Sequence, residues 1–385
     1  MDIKPGNVLF SPRLVKYFSV LLALIAILYL YHGFSNLISN QTHNLPTDLA
    51  LRYHQANDLI FNKINIYKET VHAQYPPSLY LFLSPLTHYS TYQMMDEWWA
   101  VLHLLSLLLS ILLLSKLFSE KAKKYLIITA FLAFHAIPHA MGVGQISVII
   151  TGFLMGSLYL IKVKSHLFFK IVGTLLLTFA LGKYSLLLPI ALVFILDDDS
   201  RIPIILSVLL NILLSHVVLI RVDSSILEYI ELLLINSYEV KQLGTIDIQS
   251  LLSMINAPDF VSALAMIALL VIFSVYIIRN RVSLDIWDQM AIASITARFF
   301  IYHNHYDNVM LIFILIALLK RVSFAEGQKN KTFYLVALTI VSLVTPARFL
   351  IWEAPFYGIF LIFQLMLWVS IPVYIANDKM DSTTT

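Results

Sequence analysis

Apolar runs of roughly 16 to 22 residues recur along the whole chain, and each is long enough to cross a hydrocarbon core of about 30 Å. The pattern predicts membrane-crossing helices at 14–34, 97–116, 125–140, 146–161, 167–182, 184–196, 202–220, 261–278, 284–301, 308–319, 332–346 and 354–375. The first run is longer than a signal-peptide core and lacks a small-residue cleavage site, so we read it as a retained helix. The spans 184–196 and 308–319 are short, which predicts tilted or broken helices there. Residues 76–89 are apolar but open on Pro76-Pro77 and are interrupted by Pro85. They read as a re-entrant or interfacial piece rather than a span.

Charge orients these helices. The loops 119–124, 162–164, 279–281 and 320–331, with Lys4, Arg13 and Lys16 of the N-terminal flank, carry most of the 26 Lys and Arg residues. The positive-inside rule makes them cytoplasmic, which gives about twelve crossings with both termini inside. Counting 76–89 as a span would move Lys121, Lys123 and Lys124 outside. Two long loops, 35–75 and 221–260, then lie on the extracytoplasmic side. Leu49, Tyr53, Ala56, Leu59 and Ile60 in the first recur at near-helical spacing, as do Ile226, Tyr229, Ile230 and Leu233 in the second. Both predict short amphipathic helices lying on the membrane surface. Neither loop is long enough for a separate soluble domain, so 1–385 reads as one membrane domain. The fold class is all-α and polytopic.

Composition agrees. Of 385 residues 59% are hydrophobic and 13% charged, with a mean hydropathy of +0.80. A soluble domain of this length carries about twice that share of charge. The chain has no cysteine, which excludes disulfides and thiolate metal sites. It also has no phosphate-binding Gly-rich loop, no His-Glu-x-x-His pattern and no internal repeat of obvious period. Nothing points to a nucleic-acid partner.

The unusual polar residues gather on the outer face: Asp48 and Asp58 in the first loop, Gly142-Val143-Gly144-Gln145 in a tight turn, Lys183 between two spans, and Arg298 with the block Tyr302-His303-Asn304-His305-Tyr306-Asp307. Ionisable groups at membrane depth cost a few kcal/mol and usually face a cavity where they act. Each also has a plainer reading. Thr47-Asp48 ahead of an amphipathic run suits a helix cap, Asp58 suits solvated surface, and Lys183 suits a side chain snorkelling to headgroups. Gln145 suits hydrogen bonding to the helix ends around its own turn. His303 and Asp307 are four apart, one helical turn if the segment is helical, so the acid is set to orient the imidazole. The run Asp197-Asp198-Asp199 lies on the cytoplasmic side and reads as a solvated loop.

The order of these motifs carries a resemblance. Asp48-x-x-x-x-Tyr53, then Tyr75-Pro76-Pro77 with Pro85-Leu86, Gly144-Gln145, Lys183 with Pro189, and Gln249-Ser250-Leu251 resemble the polyprenol-phosphate-sugar-dependent glycosyltransferases of family 87, within the GT-C superfamily. The block from Arg298 to Asp307 is similar to the family's late histidine motif. It lacks the Ser-Pro and Trp of many members and leaves both His303 and His305 as candidates. The resemblance covers roughly residues 40 to 320 and rests on order and common sidedness.

It implies a GT-C-like membrane enzyme that moves a hexose, typically mannose, from a polyprenyl-phosphate donor to a lipid-linked or cell-envelope acceptor. The implied location is a cell membrane, the cytoplasmic membrane of a prokaryote favoured, with the active site extracytoplasmic. Asp48 is then the catalytic general base, with His303 or His305 sharing the proton. Lys183 and Arg298 face the leaving phosphate, Gln145 and Tyr75 contact sugar or phosphate, and Asp307 belongs to the same site. No metal or other cofactor is called for. A transporter or flippase of lipid-linked substrates is the alternative. Such proteins place ionisable groups near the midplane and often show repeated halves, which this chain does not.

Overall fold

The apolar runs fold as helices in the computed structural model, which describes residues 12–39, 47–70, 73, 75–89, 94–163, 166–239, 247–300, 305–322, 331–345 and 354–377. No strand occurs among them. The order begins α1 (Pro12–Ser39), α2 (Thr47–Ile60), α3 (Ile66–Glu69), α4 (Pro77–Tyr89), α5 (Met95–Leu117), α6 (Lys121–Leu132), α7 (Ala136–Val143), α8 (Ser147–Val163) and α9 (Leu167–Ala180). It continues with α10 (Tyr184–Leu196), α11 (Arg201–Ile220), α12 (Ile226–Glu239), α13 (Ile248–Met254), α14 (Asp259–Asn280), α15 (Ile286–Phe300), α16 (Ile312–Arg321), α17 (Lys331–Val344) and α18 (Ala354–Asn377). Among the described residues six stretches are long and apolar enough to cross a membrane: Arg13–Ile38, Met95–Leu117, Lys121–Val143, Arg201–Ile220, Phe260–Asn280 and Ile359–Asn377. The chain is therefore built for a membrane.

Of the two short spans, 308–319 is broken as its length predicts, whereas 184–196 runs unbroken as α10. A 3₁₀ turn at Leu181–Lys183 joins α9 to α10, and another at His305–Leu311 leads into α16. The run expected as one helix at 125–140 divides into α6 and α7. Pro138 explains the division, because proline has no N–H to donate to Phe134 and its ring excludes that carbonyl from a continuous helix. The His135 amide turns away and donates to Leu343 O at 3.0 Å, fastening the break to α17.

Three features position the end of the bundle that carries Asp48 and Gln145. First, α4 is 13 residues, about 20 Å, and so too short to span. Its interior Pro85 removes the donor for Leu81 O, and Ser84 Oγ takes that carbonyl at 2.7 Å. Ser78 ties the start of α4 to α11, donating from Oγ to Asn211 Oδ1 at 2.6 Å.

Second, α2 departs from the expected surface helix. Leu49, Ala56, Leu59 and Ile60 are buried in protein, packed with α4 and α7, rather than offered to lipid. Third, α15 and α16 form the centre. Every residue from Asp288 to Arg298 is buried, as is every residue from Ile312 to Leu319. At the opposite end Arg321 and Lys320 pair with Asp288 and Asp285 and clasp these two helices together.

Close packing around α8 relies on small residues. A Cβ at Gly152 would overlap Ser106 Oγ of α5, and one at Gly173 of α9 would come within 2.9 Å of Ile161. Gly152 and Gly156 make the small-xxx-small spacing that lets membrane helices approach closely.

Candidate active site

Gln145 is the hub. It follows Gly144, which ends α7 in the left-handed region (φ 75) and whose turn opens α8. The Gln145 amide nitrogen donates to Asp48 Oδ2 at 2.6 Å and to Tyr306 Oη at 3.2 Å. Its side-chain oxygen accepts from Tyr75 Oη at 2.9 Å. Its main-chain oxygen lies 3.0 Å from Nε2 of the buried His103 on α5. Both amide hydrogens are engaged, and one of them anchors Asp48.

Asp48 sits in the first turn of α2, where the helix dipole favours a negative charge. It does not cap that helix. Its Oδ2 accepts from Gln145, while Oδ1 has no partner among the described residues and the side chain is half-buried. One carboxylate oxygen is fixed and the other is open to solvent or substrate. The fixation depends on a close approach: a Cβ at Gly144 would overlap Leu49 Cβ and lie 3.0 Å from Leu49 N. Glycine is what lets the start of α2 rest on the turn that carries Gln145.

Lys183 does not snorkel. Its side chain is 7% exposed, and Nζ pairs with Asp307, contacts Ser147 Oγ at 2.9 Å and lies 5.0 Å from the centre of the Tyr306 ring. Ser147 Oγ also donates to Asp307 Oδ1 at 2.5 Å. Lys183, Ser147 and Asp307 thus form one buried, charge-balanced cluster that joins the 3₁₀ turns before α10 and α16 to the start of α8. Gly182 lets α4 approach this turn, since a Cβ there would come within 2.8 Å of Leu79.

His305 is half-buried and has Arg298, His139 and His135 as its charged or ionisable neighbours. Burial first, then the positive charge of Arg298 and the two other imidazoles, pushes its pKa from 6.5 down to about 3. Its imidazole is therefore neutral at physiological pH. His139 stacks on Tyr306 (ring centres 5.7 Å apart) and His135 stacks on His139 at 5.9 Å, forming a ring column behind the Gln145 contact. Arg298 is buried, with its guanidinium 5.9 Å from the Trp368 ring. His303 lies outside the described residues.

Of the residues singled out from sequence, Asp48, Tyr75 and Gln145 come together, and Tyr306 links them to Lys183 and Asp307. Asp58 does not join them; it accepts from Asn62 Nδ2 at 2.9 Å at the far end of α2. The Asp197-Asp198-Asp199 run is a helix-end clasp, since Asp197 and Asp199 pair with Lys162 at 2.7 and 2.9 Å and Asp198 with Arg201 at 2.8 Å. Gln249 and Ser250 are buried in the first turn of α13, where Asp247 caps the Ser250 amide at 2.8 Å. Sequence reading missed Ser147, His103, His139, Arg52 and Gln55. Only Arg52 carried a visible signal, as a charge within the Leu49, Ala56, Leu59 stripe.

A family model described as Glycosyltransferase family 87 matches residues 73–301, more than half of the chain. No curated protein and no solved structure matches.

Proposed function

The chain belongs to glycosyltransferase family 87, and from that premise we propose that it moves a hexose, mannose favoured, from a polyprenyl-phosphate donor to a lipid-linked or cell-envelope acceptor. The reaction takes place on the extracytoplasmic face of a membrane protein with about twelve crossings and a GT-C-like architecture. The observation that carries the mechanism is the asymmetric carboxylate of Asp48, held at Oδ2 by Gln145 and open at Oδ1.

Asp48 Oδ1 removes the proton of the acceptor hydroxyl as that oxygen bonds to the anomeric carbon. The bond from the anomeric carbon to the phosphate oxygen breaks, and its electron pair leaves with the polyprenyl phosphate. Direct displacement inverts the centre, so a β-linked donor yields an α-glycoside. Gln145, fixed by Tyr75, Tyr306 and His103, keeps the base in line and spends no substrate contact doing so. Arg298 supplies positive charge for the leaving group, and Lys183, although balanced by Asp307, keeps a third N–H to donate. Neutral His305 is suited to pass a proton on, and His303 keeps the same role as an alternative.

The test is incubation of purified protein with radiolabelled polyprenyl-phosphate mannose and membrane lipid acceptors. Label in an acceptor supports the enzyme; movement of donor across vesicles without transfer supports a flippase. Asp48→Asn is expected to leave membrane expression intact and reduce transfer by at least about 10³-fold. Transfer at the wild-type rate in that variant removes Asp48 as the base.

A further inference from the structure

The buried face of α2 continues inward from the base. Asp48, Arg52 and Gln55 fall at i, i+4 and i+7, which aligns them along one side of the helix. Arg52 and Gln55 are both buried. An arginine kept inside a packed helix face carries a desolvation penalty of several kcal/mol, so it needs compensating contacts in the protein or in a ligand.

The guanidinium is held in place rather than left to wander. Nη1 donates to Gln55 Oε1 at 2.5 Å and reaches Tyr80 Oη at 3.4 Å, and Cζ lies 4.2 Å above the Tyr75 ring. Tyr80 Oη also donates to Gln55 Oε1 at 2.7 Å. Tyr75 in turn donates to Gln145, the residue that holds Asp48, so one tyrosine braces both the base and the cation. Gln55 has a donor to spare: Nε2 is buried and has no hydrogen-bond partner among the described residues. A buried donor left unmet costs about 1–3 kcal/mol.

Distance fits a phosphate. With reacting atoms about 3 Å apart, the departing oxygen lies roughly 6 Å from the base. Residues four apart on a helix are separated by a rise of about 6 Å. Charge fits as well. Asp48 lies within electrostatic reach of Arg52, and it loses its charge on taking the proton just as the leaving phosphate gains one. Lys183 has Asp307 to balance it throughout.

We infer that Arg52 and Gln55 form the subsite for the phosphate of the lipid-linked donor, the guanidinium meeting its anionic oxygens and Gln55 Nε2 adding a hydrogen bond. The inference rests on the donor class proposed above and assigns the group that recognises it. Planar, pre-placed guanidinium donors suit phosphate oxygens better than a mobile ammonium.

The experiment measures binding of polyprenyl phosphate, and separately of the uncharged polyprenol, to the full-length protein purified in detergent. Wild type, Arg52→Gln and Gln55→Leu are compared after each elutes as a single monodisperse species. Wild type is expected to prefer the phosphate. Arg52→Gln should weaken phosphate binding at least tenfold and Gln55→Leu at least threefold, both leaving polyprenol binding unchanged. If Arg52→Gln does not fold, Gln55→Leu decides alone. Wild-type phosphate affinity in a folded Arg52→Gln, or in Gln55→Leu when it stands alone, overturns this assignment. So does equal loss of polyprenol binding, or displacement of the probe by phosphatidylglycerol as readily as by polyprenyl phosphate. A wild type that does not distinguish phosphate from polyprenol instead overturns the donor class itself.

Discussion

Gln145 makes side-chain contacts to residues 70, 97 and 161 positions away along the chain. Replacing it by leucine keeps the size of the side chain and removes the donor to Asp48, leaving the carboxylate to turn. Gln145→Leu should lower kcat by roughly 10²-fold with little change in donor KM, since misplacing a reacting group costs rate more than binding. A raised KM at unchanged kcat would return Gln145 to the role of a substrate contact. His305 makes a second prediction at this scale. Its folded pKa of about 3 lies below the ordinary 6.5, so the folded state binds the proton more weakly than the unfolded one. The stability held by the neutral imidazole is complete above pH 6.5 and is lost progressively as pH falls toward about 3. His305→Gln should flatten that acid limb when thermal unfolding is followed against pH. An unchanged profile would show that the limb belongs to other groups.

At the scale of elements, the site depends on a helix start resting on a turn. Gly144 satisfies two demands there, a positive φ and the close approach of Leu49. Gly144→Ala forces a side chain into the left-handed region, at about 1–2 kcal/mol, and overpacks α2 at about 1–3 kcal/mol more. The variant should unfold at lower temperature and lose most of its transfer activity, because Asp48 moves with α2. Full activity in Gly144→Ala would mean that α2 does not need this seat. The Gly144-Gln145 pair was legible in sequence as a turn, and Asp48 as an acid on the same face. That α2 packs on this turn was not legible, because its Leu49, Ala56 and Leu59 stripe reads equally well as facing lipid or protein. Only Arg52, a charge in the stripe, argued for protein.

For the whole molecule, sidedness is the property most open to test, and the absence of cysteine makes the test direct. Leu227 on α12 is 79% exposed, and Ser283, after α14, is also exposed. A membrane-impermeant maleimide should label Leu227→Cys in intact cells and Ser283→Cys only after permeabilisation. Labelling of both from outside would overturn the proposed arrangement of about twelve crossings and the proposed sidedness of the site with it.

Sequence by itself determined that the chain is a bundle of membrane helices, where most of them run, and which polar residues stand out. Burial against lipid or protein imposes a local periodicity, and charge bias in short loops is equally local. Short span length pointed to the break before 312, whereas the division of 125–140 at Pro138 was not read from the sequence. Tertiary structure alone decided the partnerships. Asp307, four residues from His303, gives its Oδ1 to Lys183 and Ser147, 124 and 160 positions away in sequence. Gln145 became an anchor for Asp48, and Arg52 a buried cation on the same side of α2. Such contacts are set by how helices converge in space, and no periodicity along one segment records which distant side chain fills the hydrogen bond of another.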